Sequence, residues 1–244
     1  MKNLTSVHSD LIELMTNVLC FSVSSPKTTK AGNILTAKIP VYEPNIPEPK
    51  CWTDLIKYWI SLSLDDRTAN KVLWITDGGA KVARMTDDIT CPVLDRPERY
   101  EYTPQVLCKE GFLGSRGYWE VQSSGWVVIG VAFEGAGRRN IEGPCGFGEN
   151  EESWGLEWSG SCYQVWHKGQ RKEINGVPHH STIGVYVDQP AGILSFYAVK
   201  EGEEGTARKE VKPLHQIRSS FKQKLLPGFW VGTHSYCLIL KKEE

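Results

Sequence analysis

No apolar run in this 244-residue chain approaches the ~20 residues that a membrane-spanning helix requires, so the sequence offers no candidate span. An excess of one charge is lacking too. Lys and Arg number 28 against 29 Asp and Glu, a formal net charge of -1, which removes the electrostatic footprint of a dedicated nucleic-acid binder. Paired cysteines are missing as well. Cys20, Cys51, Cys91, Cys108, Cys145, Cys162 and Cys237 are scattered, odd in number and never spaced Cys-x-x-Cys, which argues against a disulfide framework and against a zinc site. Each reads instead as a small buried hydrophobe. Near the start, Asp10 and Glu13 interrupt the apolar stretch and no small-residue cleavage pattern follows, so a secretory signal is not expected and the protein is expected to be cytoplasmic.

Catalytic frameworks are equally scarce. Ser235 adjoins His234, but no Gly-x-Ser-x-Gly elbow frames any serine. Three glycines lie between Gly143 and Gly148 with no Lys-Ser or Lys-Thr after them, which leaves a phosphate-binding loop unsupported. His179 and His180 are neighbours without an acid at helical spacing, and adjacent strand residues face opposite ways, so they read as an exposed loop pair. Glu149, Glu151 and Glu152 crowd one Gly-rich loop and read as a solvated rim, not as the two opposed carboxylates of a glycosidase. The sequence implies no enzyme, no cofactor and no metal.

What is present is strand and turn. With 40% hydrophobic residues and 9 Trp the chain can bury a substantial core, and 23 Gly with 13 Pro suit many short strands. From Tyr118 to Gln122 the residues alternate, Trp119 and Val121 on one face and Tyr118, Glu120 and Gln122 on the other. After a turn at Gly125, Val127, Ile129, Val131 and Phe133 share a face, and only Val128, Gly130 and Ala132 occupy the other, so this strand is expected to be central. Three further hairpins are legible. Asp77-Gly78 separates Val72–Thr76 from Lys81–Met85, Lys168-Gly169 separates Tyr163–His167 from Arg171–Ile174, and Pro190–Gly192 separates Val185–Asp188 from Ile193–Tyr197. Long parallel crossovers are missing, which favours two antiparallel sheets packed face to face.

Ahead of the strands, Ser9 can cap a short helix carrying Leu11, Leu14, Met15 and Val18. Ser22–Lys30 and Pro40–Pro49 are polar or Pro-interrupted and read as linkers. Trp52, Leu55, Ile56 and Trp59 then recur at helical spacing, a short amphipathic helix expected to serve as a packing lid over one end of the sandwich. Residues 1–50 are thus expected to be a helix with flexible linker, and 51–244 the β-domain.

An ordered set of motifs carries a resemblance. Gly117-Tyr118-Trp119-Glu120-Val121, Gly130-Val131, Asn150 to Trp154 with Leu156, Ile183-Gly184-Val185, Gly192 to Tyr197 and Leu226-Pro227-Gly228-Phe229 follow one another, preceded by Leu62–Asn70. This set resembles the PRY-SPRY domain of tripartite-motif proteins, butyrophilins and stonustoxin-like fish proteins. Asp188-Gln189-Pro190, and Asp66 where a Pro is common, depart from the pattern at turns, so altered loops on an unchanged fold are expected. The resemblance implies an all-β, two-layer antiparallel sandwich of concanavalin-like jelly-roll type with short N-terminal helices. It also implies a module that recognises a protein or peptide through variable loops, such as the reading part of a tripartite-motif ubiquitin ligase in innate immunity. The zinc-bound domain of such a ligase has no counterpart among these cysteines. A coiled coil is not present, so this chain alone is expected to be monomeric. Two other readings stay open: a carbohydrate-binding sandwich, and the C-terminal domain of a stonustoxin-like pore former, which the stretch Pro97–Cys108 resembles.

The loops Arg96–Tyr102, Glu134–Asn140 and Trp158–Trp166 are expected to gather at one binding end. Candidate partner-binding residues there are Arg96, Arg99, Tyr100, Tyr102, Arg138, Arg139, Glu157, Trp158 and Tyr163, since Trp, Tyr and Arg dominate interface energetics. Trp154 and Trp166 lie on strands and are assigned to the core.

Overall fold

The computed structural model describes residues 42–86, 88–140, 144–202 and 209–242. The helix expected after Ser9 and the linker Ser22–Lys30 lie outside these residues. A single helical turn, α1 (Trp52–Leu55), continues as a 3-10 turn over Ile56–Tyr58. Thirteen strands follow among the described residues: β1 (Trp74–Thr76), β2 (Lys81–Arg84), β3 (Gln105–Leu107), β4 (Arg116–Ser124), β5 (Val127–Phe133), β6 (Ser153–Trp158), β7 (Tyr163–His167), β8 (Gln170–Ile174), β9 (Thr182–Asp188), β10 (Ile193–Lys200), β11 (Glu210–Arg218), β12 (Leu225–Val231) and β13 (Ser235–Ile239). They form a seven-stranded sheet ordered β1-β2-β13-β4-β9-β10-β11 and a six-stranded sheet ordered β3-β12-β5-β6-β7-β8, with every strand pairing antiparallel.

The alternation along β4 and β5 decides which faces meet. Trp119 and Val121 point inward with Val185, Phe196 and Cys237 and meet Ile129, Val131, Leu156 and Phe229 of the other sheet in one buried cluster. Phe112 stacks on Trp119 at 5.6 Å between ring centroids. β5 lies between β12 and β6, buried along its whole length, as its two covered faces require. The turns follow their chemistry. Lys168 and Gly169 carry φ of 55° and 69°, the twin left-handed residues of the turn that matches strand twist, and Asp77 and Gly78 carry 53° and 67°.

The helical lid is placed differently from expectation. It covers the outer face of the seven-stranded sheet instead of one end of the sandwich. Leu55 packs with Tyr118, Tyr186, Ile193 and Tyr197, and Ile56, Tyr58 and Trp59 close over them. The reason lies in β4, whose outward residues Tyr118 and Glu120 are large and buried: Glu120 accepts hydrogen bonds from Trp52 Nε1 at 2.8 Å and Tyr118 Oη at 2.9 Å, and pairs with Lys209. Burial beside Glu120 pushes the Tyr118 phenol far above its ordinary range.

Residues 42–50 have no strand or helix, yet they are tied down. Tyr42 donates to Asp188 Oδ1 at 3.0 Å, Arg116 lies over the Tyr42 ring at 4.3 Å, and Glu48 accepts from Gln216 at 2.9 Å and pairs with Arg218 at 2.5 Å. Asp188, which heads the segment that departs from the family pattern at Gln189 and Pro190, pairs with Arg116 at 2.6 Å, both side chains being less than a tenth exposed.

Candidate functional site: an aromatic pocket on the six-stranded sheet

Pairing places Gly228 beside Gly130 and Gly130 beside Gly155, a row of three glycines across β12, β5 and β6. The row is a shallow trough because no side chain rises from it. The chain returning to β6 fills the trough with Phe147, which is 3% exposed although it sits on the outer face. A Cβ on Gly228 would stand 2.8 Å from the Phe147 ring, and one on Gly130 would stand 3.0 Å from it, so only glycine admits this close approach. Side-chain bonds hold the loop: Gln105 accepts from Phe147 N at 3.0 Å, Glu149 from Gly146 N at 2.8 Å, and Ser153 from Gly148 N at 2.8 Å.

Beside Phe147 opens a pocket of about 270 Å³, walled by Trp126, Val128, Gly146, Phe147, Glu149, Glu157, Trp166 and Trp230. Trp230, Val128 and Glu157 are register partners across β12, β5 and β6 and project outward together, while Trp166 pairs with Gly155 one step along. Glu157 is 5% exposed and organises the walls. One of its oxygens accepts from Trp126 Nε1 and the other from Trp166 Nε1, both at 2.6 Å. These short bonds to a carboxylate hold the two indoles in place. Trp126 leans on Trp230 at 5.2 Å between centroids and is 49% exposed, so the pocket is a preformed cleft with a large apolar side chain at its mouth.

The loops expected to form a single rim are divided. Those around residues 95–101 and 134–140 do meet: Arg139 pairs with Asp95 at 2.8 Å and Glu101 at 3.0 Å and donates to the Arg96 carbonyl at 2.7 Å, while Arg138 donates to the carbonyls of Glu134 and Glu98. The turn after Trp158 opens at the opposite end of β6, because Ser153 lies beside Ala132 and Trp158 beside Val127.

Exposure also departs from expectation. Tyr100 is 1% exposed; it is held through its backbone to Thr68, and burial pushes its phenol up to about 12. Arg99 is buried and satisfies the carbonyls of Asp66, Ala69 and Leu94, a tie between loop and core. Tyr163 is buried with its hydroxyl between the backbone N–H and carbonyl of His180. That bond draws His180 in, so only His179 of the expected exposed pair lies in solvent. Trp158 is half-buried between Tyr163 and His179. Arg96 and Tyr102 remain exposed. Of the nine candidates only Glu157 lines the aromatic pocket. Trp166, assigned to the core, stands in its wall, and Glu149, taken for solvated rim, lies at its edge.

Sequence reasoning passed over Trp126, Phe147 and Trp230. A signal for Trp230 existed, since Phe229 and Val231 both face inward and the residue between them must face out. Phe147 gave none, because the glycine trough exists only after three strands pair.

Comparison with known proteins places this geometry. The family model described as SPRY domain matches residues 116–242, and that described as SPRY-associated domain matches 62–112. Stonustoxin subunit beta of Synanceia horrida is 33% identical over 78% of this chain and 26% of its own length. Tripartite motif-containing protein 16 of Mus musculus is 27% identical over 78% of this chain and 33% of its own length. The solved stonustoxin structure superposes with a TM-score of 0.71 at 31% identity, covering 81% of this chain and 30% of that one. The chain therefore spans about a quarter to a third of the length of these relatives. With its two antiparallel sheets and both family segments in order, the chain belongs to the PRY-SPRY family shared by tripartite-motif proteins and stonustoxin subunits.

Proposed function

We propose that this chain is a protein-recognition module that captures a protein or peptide partner on the outer face of its six-stranded sheet, with Trp126, Trp166 and Trp230 as anchors. The observation that carries this reading is the preformed pocket itself, three indoles around a carboxylate with one indole half exposed at the mouth. Such a site pays little ordering entropy on binding, and Trp side chains in pockets are the commonest energetic anchors of interfaces. The loops around Arg96, Tyr102, Arg138 and Arg139 would form a second, more polar contact area. The SPRY domain is a binding module, and no turnover is expected of it. A role as the reading part of a cytoplasmic tripartite-motif ubiquitin ligase in innate immunity is the wider setting we assign.

The test is a proximity-labelling screen comparing wild type with Trp126→Ala and with a Tyr102→Ala/Arg139→Ala variant. Partners lost with Trp126→Ala from a folded protein locate the site at the pocket. An unchanged partner set refutes it. A second reading, a module of a stonustoxin-like pore former, draws on the 33% identity to a stonustoxin subunit. Leakage from liposomes caused by this chain would favour it. Glycan-array binding abolished by Trp126→Ala would favour the carbohydrate reading instead.

A further inference from the structure

The pocket has a chemical bias that its aromatic walls alone do not explain. Glu157 lines it at 5% exposure, and the exposed Glu149 lines it too. Glu157 receives two indole N–H bonds, but no cation pairs with it or with Glu149 among the described ion pairs, although Lys209 is spent on Glu120 and Arg116 on Asp188 elsewhere in the fold. A buried carboxylate whose side-chain donors are two indole N–H groups leaves a local field that a positive ligand complements best, and the negative π-faces of indoles favour the same sign. Arg171 on β8 does not line the pocket; its guanidinium lies over the Trp166 ring at 5.8 Å, an instance within this chain of the contact in question.

We propose that the pocket seats a cationic side chain, an arginine or lysine, of the partner protein, with the indoles of Trp126, Trp166 and Trp230 against its stem and charge and the carboxylates of Glu157 and Glu149 as counter-ions. This rests on the recognition reading above and names the group it recognises. A volume of about 270 Å³ takes one side chain and not a folded element, so the rest of the partner lies across the exposed Trp126 and the surrounding strands. A neutral aliphatic residue would leave two carboxylates facing apolar atoms, and an acidic one would meet like charge. Selection among partners therefore comes as much from exclusion as from attraction.

The indole N–H signals of Trp126 and Trp166 in a heteronuclear NMR spectrum, assigned with Trp126→Phe and Trp166→Phe, report directly on the pocket. Titration uses acetyl-Gly-Arg-Gly-amide, its lysine counterpart and its citrulline counterpart, the last being neutral but nearly isosteric with arginine. The expected result is saturable shifts of both signals by the arginine or lysine peptide, about tenfold tighter than by citrulline. The preference should disappear in Glu157→Gln, and weaken in Glu149→Gln, whose exposed loop position keeps the fold if Glu157→Gln does not. Equal binding of citrulline and arginine, or no shift with any of the three, overturns the proposal. If Trp126→Ala loses its partners in the labelling screen while the peptides show no charge preference, the cation assignment alone is wrong. If Trp126→Ala keeps every partner, the recognition reading beneath it is wrong.

Discussion

Substituting Gly130 by alanine should destabilise this protein far more than one added methyl group suggests. A Cβ at that position would lie 2.2 Å from the carbonyl oxygen of Trp154, 3.0 Å from the Phe147 ring and 3.1 Å from the Gly155 Cα. Two of these three atoms are backbone of the neighbouring strand β6, which cannot rotate away, so relief requires β5 and β6 to part. Over-packing a close-fitted site costs typically about 1–3 kcal/mol, and a backbone obstacle puts Gly130→Ala at the upper end, near 3 kcal/mol. For a domain of this size each kcal/mol lowers the midpoint by roughly 2–4 °C, so a drop of about 6–12 °C is expected in a thermal melt followed by tryptophan fluorescence.

Two companions sharpen the test. Gly114→Ala, at φ 65° with nothing within 4 Å, should cost only the left-handed backbone penalty, roughly 1–2 kcal/mol. Phe147→Ala added to Gly130→Ala should restore little, because the worst contact is with the Trp154 carbonyl and not with the ring. A Gly130→Ala midpoint within about 2 °C of wild type would refute the close-packed trough. So would full rescue by Phe147→Ala, and the account of how the pocket wall is built would fall with it.

Arg116→Ala should strand Asp188, buried at 6% side-chain exposure with Tyr42 as its other side-chain donor, and cost about 3–5 kcal/mol in chemical denaturation; a loss below about 1 kcal/mol would mean that the pair is dispensable. Glu157→Leu removes the acceptor of two indole N–H groups. Since Trp126 is half exposed, water can recover part of the loss, and a cost of roughly 1–3 kcal/mol is expected, with both indole N–H signals moving in the NMR spectrum. Acid should weaken the fold as its partly buried histidines take up protons. Burial lowers the pKa of His167, His180 and His215, with nearby lysines adding to it. A group whose folded pKa lies below its unfolded value near ~6.5 binds more protons unfolded, so stability is whole above that pH and falls as pH drops through the window beneath it. Melting midpoints should decline as pH falls below about 6.5, and less steeply in His167→Gln; a flat profile there would remove the histidines from the account.

Alternation and turn chemistry alone determined most of the framework. Trp119 and Val121 had to share a face because strand side chains repeat every second residue, and Lys168-Gly169 had to reverse the chain because left-handed residues match strand twist. Family and sandwich were legible for the same reason, since framework motifs are local. Which aromatic residues reach solvent was decided by tertiary structure. Tyr100 and Tyr163 look identical to Tyr102 in sequence, yet the backbone N–H of Tyr100 is tied to Thr68, 32 positions away, and the hydroxyl of Tyr163 to the backbone of His180, 17 positions away, and both rings are buried. The pocket is the extreme case. Gly130, Gly155 and Gly228 become a trough only when β12, β5 and β6 pair in register, and only then can Phe147 settle into it beside the pocket of Trp126, Trp166, Trp230 and Glu157. Local pattern sets the direction of each side chain, but convergence is a property of strands brought together from distant parts of the chain.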